Sequence, residues 1–321
     1  ALARLEAAKA NETRDFVTSL FEFAGPDKSL GEQLTARQLL DLGATRIDQQ
    51  LANQPQLHAE MALLLANTYG QLGLYDTAQP LARQAGDLFA STGDETKRFD
   101  ALLALARLNR QTGAFADSVA LLEQAGALSG GANDAARSRL LIERGELNRE
   151  QAQFDPAREA FKEALAIDRT RLAPARDIAR DLYRLGTLEF SAGDNQLGLD
   201  LLRQAAARLA DSGSDNTTQL ASIRHDIGVI LIQRGELDAA RQVLQSAREL
   251  RQRLLGNEHP DLAQTLKELA GIARQRGANE EAESLYLEAL AINESMLGNE
   301  HPETANSLNS LAVFYRGLNR L

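Results

Sequence analysis

Cysteine and tryptophan are both missing from this chain of 321 residues. Without cysteine there can be no disulfide, no thiolate metal site and no cysteine nucleophile, and no compartment is assigned by that absence. Aromatic residues make up only 5%. Alanine and leucine dominate instead, as packing of helix on helix prefers. The seven prolines fall mostly between helical stretches. An excess of positive charge is also lacking. The net charge of −10 argues against a general nucleic-acid binder or a binder of anionic membranes. No apolar run approaches the length needed to cross a bilayer, and no signal peptide opens the chain. Phosphate loops, dinucleotide fingerprints, zinc-protease motifs and kinase signatures are absent as well. A hydrophobic content of 44% argues against disorder. The length suits two ordinary domains, or one elongated solenoid without a central core.

What the chain does contain is repetition, clearest over residues 221–315. The segment Gly-Asn-Glu-His-Pro-Asp at Gly256–Asp261 returns 42 residues later as Gly-Asn-Glu-His-Pro-Glu at Gly298–Glu303. Ile227, Gly228 and Leu231 lie on one face of a first helix, and Ala240, Leu244 and Ala247 on one face of a second. Gly235 lies between them, where a helix must stop and the chain reverse. Small residues on both helices let their axes approach, so the two pack as an antiparallel hairpin. One hairpin cannot bury its apolar face alone, so it stacks on the next.

The turn position can be followed backward as Gly73, Gly113, Ala152, Gly193, Gly235 and Gly277, spaced by 40, 39, 41, 42 and 42 residues. Five residues later come Ala78, Ser118, Ala157, Gly198, Ala240 and Ala282. Seven further on come Ala85, Ala125, Ala164, Ala205, Ala247 and Ala289. A fixed period of this size marks a stacked repeat array. The arrangement resembles the tetratricopeptide repeat, and its 42-residue period and Leu-Gly-Asn-Glu-His-Pro connector resemble the longer variant of kinesin light chains. The resemblance implies an all-α, right-handed superhelical α-solenoid of helical hairpins.

In chain order, residues 2–24 read as one amphipathic helix ended by Gly25, Pro26 and Asp27, and residues 27–34 as a loop. Thr35 can cap a second helix carrying Leu39, Leu40, Leu42, Ile47 and Leu51. Residues 1–58 are assigned as an N-terminal helical cap and 59–321 as the solenoid. Its six repeats lie near 59–98, 99–137, 138–178, 179–220, 221–262 and 263–304, with a partial seventh at 305–321. The last first-type helix is expected to run from near Pro302 to Leu321, with Asn319 at its turn position. Gly130 and Gly131, and residues 211–214, read as loops between repeats. The chain opens within a helical stretch and without methionine, which suggests a fragment of a longer protein.

His259 and His301 could look like metal ligands. Each instead precedes a helix-starting proline, which places it at a helix cap with Pro260 or Pro302 at the first helical position. Asp261 and Glu303 then complement the positive helix end. The arginines between residues 137 and 184 alternate with Glu143, Glu146, Glu150 and Glu159, so pairing along helices is expected rather than a phosphate site. In tetratricopeptide arrays the first helices line a concave groove. Carried over, that register puts Leu63 and Asn67, Arg107, Arg110 and Gln111, and Glu143, Glu146 and Arg149 on this face. From the later repeats it adds Tyr183, Arg184 and Thr187, then His225, Asp226 and Gln233, then Lys267, Glu268 and Arg274, and finally Asn309. Such a mixed-charge lining suits an extended peptide.

A second resemblance lies in the N-terminal portion. Arg14, Asp15, Phe16, Val17, Leu20 and Phe21, then Ala24–Pro26, then Thr35–Gly43 resemble the segment opening the repeat region of bacterial eukaryotic-like serine/threonine protein kinases. That family has a kinase domain, a membrane helix and then such repeats. It implies a non-catalytic sensory or docking region on the periplasmic side of the bacterial inner membrane. The parent chain would be a serine/threonine kinase, and the only link to the membrane would be through a segment upstream of Ala1. The expected partner is a protein or peptide in the groove, or a second copy in a homodimer. No nucleic acid, cofactor or metal is expected. The alternatives are a cytoplasmic tetratricopeptide scaffold unconnected to a kinase, and an enzyme with a convergent acid–base or metal site.

Overall fold

The structure is a computed structural model that describes residues 36–129, 133–214 and 216–318. The helix expected over 2–24, the loop at 27–34, the Gly130–Gly131 connector and the turn position at Asn319 lie outside the described residues. Within them there are fourteen helices and no strand. The chain divides into two compact units on either side of Ala152 and Gln153.

The first unit holds α1 (Ala36–Gln50), α2 (Pro55–Gln71), α3 (Tyr75–Thr92), α4 (Glu95–Gln111), α5 (Phe115–Leu128) and α6 (Asp134–Glu150). The second holds α7 (Phe154–Thr170), α8 (Ala175–Ser191), α9 (Asn195–Asp211), α10 (Thr218–Gln233), α11 (Leu237–Leu255), α12 (Pro260–Gln275), α13 (Asn279–Leu297) and α14 (Pro302–Gly317). In the first unit α2 pairs with α3 and α4 with α5; in the second α8 pairs with α9, α10 with α11 and α12 with α13. Each second helix also packs on the first helix of the next hairpin, as α3 does on α4 and α11 on α12. First helices touch one another directly, α2 with α4 and α4 with α6, then α8 with α10, α10 with α12 and α12 with α14. The first helices therefore form the inner side of the stack within each unit.

The repeat register explains these elements. All six turn residues have left-handed backbones, from φ 56° at Ala152 to φ 95° at Gly193. At Gly235 the reversal is closed by the Gly235 N–H donating to the Ile232 carbonyl and the Glu236 N–H to the Leu231 carbonyl, both at 2.9 Å. The small residues five positions on are buried, and the alanines seven further on are buried in every repeat. Gly186 and Gly198 show why size matters there. A Cβ at Gly198 would lie 2.9 Å from the Gly186 carbonyl oxygen and 3.1 Å from the Phe190 backbone nitrogen. The backbones of α8 and α9 are in near contact, and only glycine permits it.

The caps follow the same logic. His259 Nδ1 accepts from the Asp261 N–H and His301 Nδ1 from the Glu303 N–H, each at 3.1 Å. Pro260 and Pro302 begin α12 and α14, where no N–H is needed. Among the described residues the final helix ends at Gly317, and the expected end at Leu321 lies outside them. The Leu318 N–H bonds back to Tyr315, and glycine at 317 weakens the helix there.

Candidate functional site

On the inner side of the first unit a cleft of about 570 Å³ opens over α2 and α4. Leu63, Asn67, Arg107 and Gln111 line it, together with Tyr75 and Ala104. The first four are expected groove positions. Asn67 is exposed. The Arg107 side chain is half exposed, and its Nε and Nη2 donate to Glu143 Oε1 at 3.0 and 2.7 Å. At the rim Arg139 binds Asp100 at 2.7 Å and stands 5.5 Å from the centre of the Phe99 ring.

The structure places Arg110 and Glu143 beneath this surface. Both are buried, with Arg110 bonded to Glu150 and 3.8 Å from Glu143. They tie α4 to α6, so their first task is to satisfy each other away from water. Glu146 and Arg149 pair one helical turn apart at 2.7 Å. Local pairing also holds for Arg171 with Asp168, Arg180 with Asp177 and Arg184 with Asp181. Arg158 departs from it, reaching Asp155 along the helix and also Glu189 on α8 at 2.6 Å.

In the second unit Tyr183 and Arg184 lie on α8, His225 and Asp226 on α10, Lys267, Glu268 and Arg274 on α12, and Asn309 on α14. Tyr183 hydrogen-bonds Asp226. Burial nevertheless holds the Asp226 carboxyl above the ordinary carboxylate range, against the pull of Tyr183 and Arg251. Burial likewise raises Glu268, with Lys267 opposing it. Burial lowers His225 to about 3, helped by the positive charges of Arg251 and Lys267. The imidazole is therefore neutral at physiological pH and is no proton switch. Lys267 is 3.8 Å from Glu303, Arg274 hydrogen-bonds the buried Tyr286, and Asn309 is exposed. The face offers hydrogen-bond donors and acceptors with little net charge, which suits amide groups of a peptide.

Sequence reasoning missed two buried groups behind this face. Arg251 Nη1 donates to the Asp261 carbonyl and to Thr265 Oγ1, both at 2.5 Å, and Thr265 Oγ1 is 3.5 Å from His225 Nδ1. Asp168 and Asp181 are both buried, and the proximity of Asp168 helps raise the Asp181 carboxyl. The available signal was register. Asp168 and Arg251 each fall four residues after a repeat alanine, where Phe89 and Leu209 are apolar. Among the described residues no group of three or more metal-ligating side chains converges. No described helix is long and apolar enough to cross a membrane.

Residues 177–252, 219–295 and 261–321 each match the tetratricopeptide repeat model. BtubC (BKLC) from P. vanneervenii is 20% identical, with a TM-score of 0.59 over 72% of this chain and 92% of that one. A kinesin light chain candidate from Podosopora anserina, with nearly identical tetratricopeptide-like repeats, is 21% identical, with a TM-score of 0.51 over 62% and 96%. A Rap protein complexed with Competence and Sporulation Factor is 14% identical, with a TM-score of 0.63 over 99% and 94%. At these identities the likeness is one of fold. Comparison with curated proteins gives no match. Residues 177–321 thus match tetratricopeptide repeats, and the fold is an α-solenoid with tetratricopeptide and kinesin-light-chain-like structural neighbours. The kinase resemblance of residues 14–43 has no counterpart among these matches.

Proposed function

We propose that this tetratricopeptide-type array is a non-catalytic docking module that holds an extended peptide against its first-helix face. The observation that carries the reading is the cleft over α2 and α4, whose lining includes Leu63, Asn67, Arg107 and Gln111. These are positions that the repeat register assigns to a ligand groove. Its volume of about 570 Å³ accommodates a few side chains of a bound segment. Arg107 offers a half-exposed guanidinium, and Asn67 and Gln111 offer amides that can pair with a peptide backbone. The Rap neighbour is complexed with a factor, which supports a binding role for this fold.

The test is selection of random peptides on the full chain, followed by Asn67→Ala and Gln111→Ala. Both side chains are exposed, so helicity should be unchanged while selected peptides bind several-fold more weakly. Selected peptides that bind both variants unchanged would remove the cleft from the site.

The finer reading places this face on the periplasmic side of a bacterial membrane, where docking adjusts the pairing of attached kinase domains. It rests on residues 14–43. A kinase domain and an apolar run of about 20 residues encoded upstream of Ala1 is what it requires. A different upstream domain refutes it and leaves a cytoplasmic scaffold.

A further inference from the structure

Three of the connectors that lead from a second helix to the next hairpin place a left-handed residue eight positions beyond the repeat alanine, and one of the three is not glycine. After α3 the chain leaves through Gly93 at φ 72°, and after α9 through Gly213 at φ 71°. Each lies eight residues beyond its repeat alanine, Ala85 and Ala205. Each closes the helix the same way: the Gly93 N–H bonds the Ala90 carbonyl and the Asp94 N–H the Phe89 carbonyl, while Gly213 and Ser214 do so with Ala210 and Leu209. After α7 the equivalent residue is Leu172, eight beyond Ala164, at φ 53°. Its hydrogen bonds are the same, to Arg169 at 3.2 Å and from Ala173 to Asp168 at 2.8 Å. A left-handed backbone crowds the Cβ of an L-residue, which is why glycine is preferred at this cap. Leucine accepts that strain here while remaining 87% exposed. One exposed leucine is ordinary. An exposed leucine held in a conformation that the same fold elsewhere gives to glycine breaks a local rule with no gain in packing.

Leu172 borders a second cleft, of about 410 Å³, between the end of α7, the start of α8 and the end of α9. Its floor is Ile178 and Leu182, both buried. Arg169, Arg208 and Asp211 also line it. Neither arginine has an ion-pair partner among the described residues, unlike Arg158, Arg171, Arg180 and Arg184 nearby. Two guanidinium groups against one carboxylate leave a lining of net charge about +1 beside an apolar floor. That balance favours one carboxylate and disfavours polyanions such as phosphates.

We infer that this cleft is a second binding site, independent of the first-helix face, for a monocarboxylate with an apolar body. The carboxylate pairs with Arg169 and Arg208, and the apolar body lies between Leu172 and the Ile178–Leu182 floor. Two sources share this chemistry: a free aliphatic acid, and the C-terminal residue of a chain ending in an apolar side chain.

The test uses the full chain and two probes, octanoate and N-acetyl-Ala-Ala-Leu, each beside its primary amide. Binding is measured by calorimetry and by saturation-transfer nuclear magnetic resonance. One acid binds at millimolar concentration or below, and its amide binds at least about tenfold more weakly, because a charge-assisted pair is lost. Which acid binds assigns the source. R169Q and R208Q weaken binding by about the same factor. L172G weakens it too, while the melting temperature holds or rises, since glycine relieves the left-handed strain. That split separates a binding leucine from a structural one. Absence of binding by both acids overturns the inference. So does binding that persists within about twofold in L172G and in the R169Q/R208Q pair.

Discussion

The carboxyl pair Asp168–Asp181 should make the second unit less stable as pH rises through neutrality. Both residues are at most 2% exposed, where α7 packs on α8. Burial raises the Asp181 carboxyl from 3.8 to about 7, and the hydrogen bond to Asp168 and the Asp168 charge push the same way. Arg184 and Arg180 oppose the shift. Arg184 is 3.2 Å from Asp181, and Arg171 Nε donates to Asp168 at 2.8 Å. The folded state therefore holds a proton that the unfolded chain releases near pH 4. Stability is full below the unfolded value and falls as pH rises toward the folded one. Holding the carboxyl at about 7 rather than 3.8 corresponds to a ceiling of about 4 kcal/mol. From about pH 5 to about pH 8 the expected loss is about 2.5 kcal/mol. Asp181→Asn keeps the shape and donates an amide N–H to Asp168 without needing a proton. Its profile should be flatter by that amount.

Repeat arrays open in parts, so the readout must be local. Hydrogen exchange of the α7 and α8 amides, corrected for intrinsic rates, reports their opening free energy in both proteins. Asp226 and Glu268 are also raised by burial and give the same background slope in each. The difference between the two profiles isolates Asp181. Equal slopes in wild type and Asp181→Asn, or a carboxyl carbon titrating near 4, would refute the reasoning.

Two further predictions test the repeat geometry. Gly198→Ala should cost about 1–3 kcal/mol, because the added methyl meets the Gly186 carbonyl and cannot be accommodated by a rotamer change; an unchanged melting temperature would show that α8 and α9 can separate freely. His259→Ala should cost about 1 kcal/mol by removing the acceptor of the Asp261 N–H, and His259→Asn should restore most of it; equal melting temperatures for the two variants would mean that the ring acts by packing alone.

Much of this fold was legible because the repeat register is set by steric need. A left-handed turn, a small residue where helices meet and a proline after a histidine cap each admit few residue types, so Gly235, Ala240 and Pro260 announce themselves. The candidate groove was legible in position but less so in exposure. Arg110 and Glu143 read as solvated charges on a helix face, yet they are buried against each other and Glu150. Their partners stand about one repeat away in sequence, a distance at which helical periodicity says nothing. Leu172 escaped notice for the opposite reason. It reads as an ordinary apolar residue, and only its backbone angle shows that it occupies a position filled by glycine after α3 and α9.

The departures from the repeat carry more information than the repeat itself. Four residues beyond the second repeat alanine, and four before the first-helix leucine or isoleucine, two buried positions recur at interfaces between hairpins. They hold Phe89 and Ala101, then Asp168 and Asp181, then Leu209 and Ile223, then Arg251 and Thr265, then Asn293 and Ser307. The last two pairs do the same work. Arg251 reaches the Asp261 carbonyl and Thr265, and Asn293 reaches the Glu303 carbonyl and Ser307. An apolar pair, a neutral amide–hydroxyl pair, a cation with hydroxyl and carbonyl acceptors, and two buried carboxyls thus fill equivalent backbone sites. Apolar residues would fill such a site without any desolvation penalty, so stacking alone does not call for Asp168 and Asp181. The costliest pair sits at the end of the helix whose cap carries Leu172 and whose last turn carries Arg169. Strain, buried carboxyls and an unpaired cation therefore concentrate at the α7–α8 connector, and a ligand is to be sought there as well as on the first-helix face.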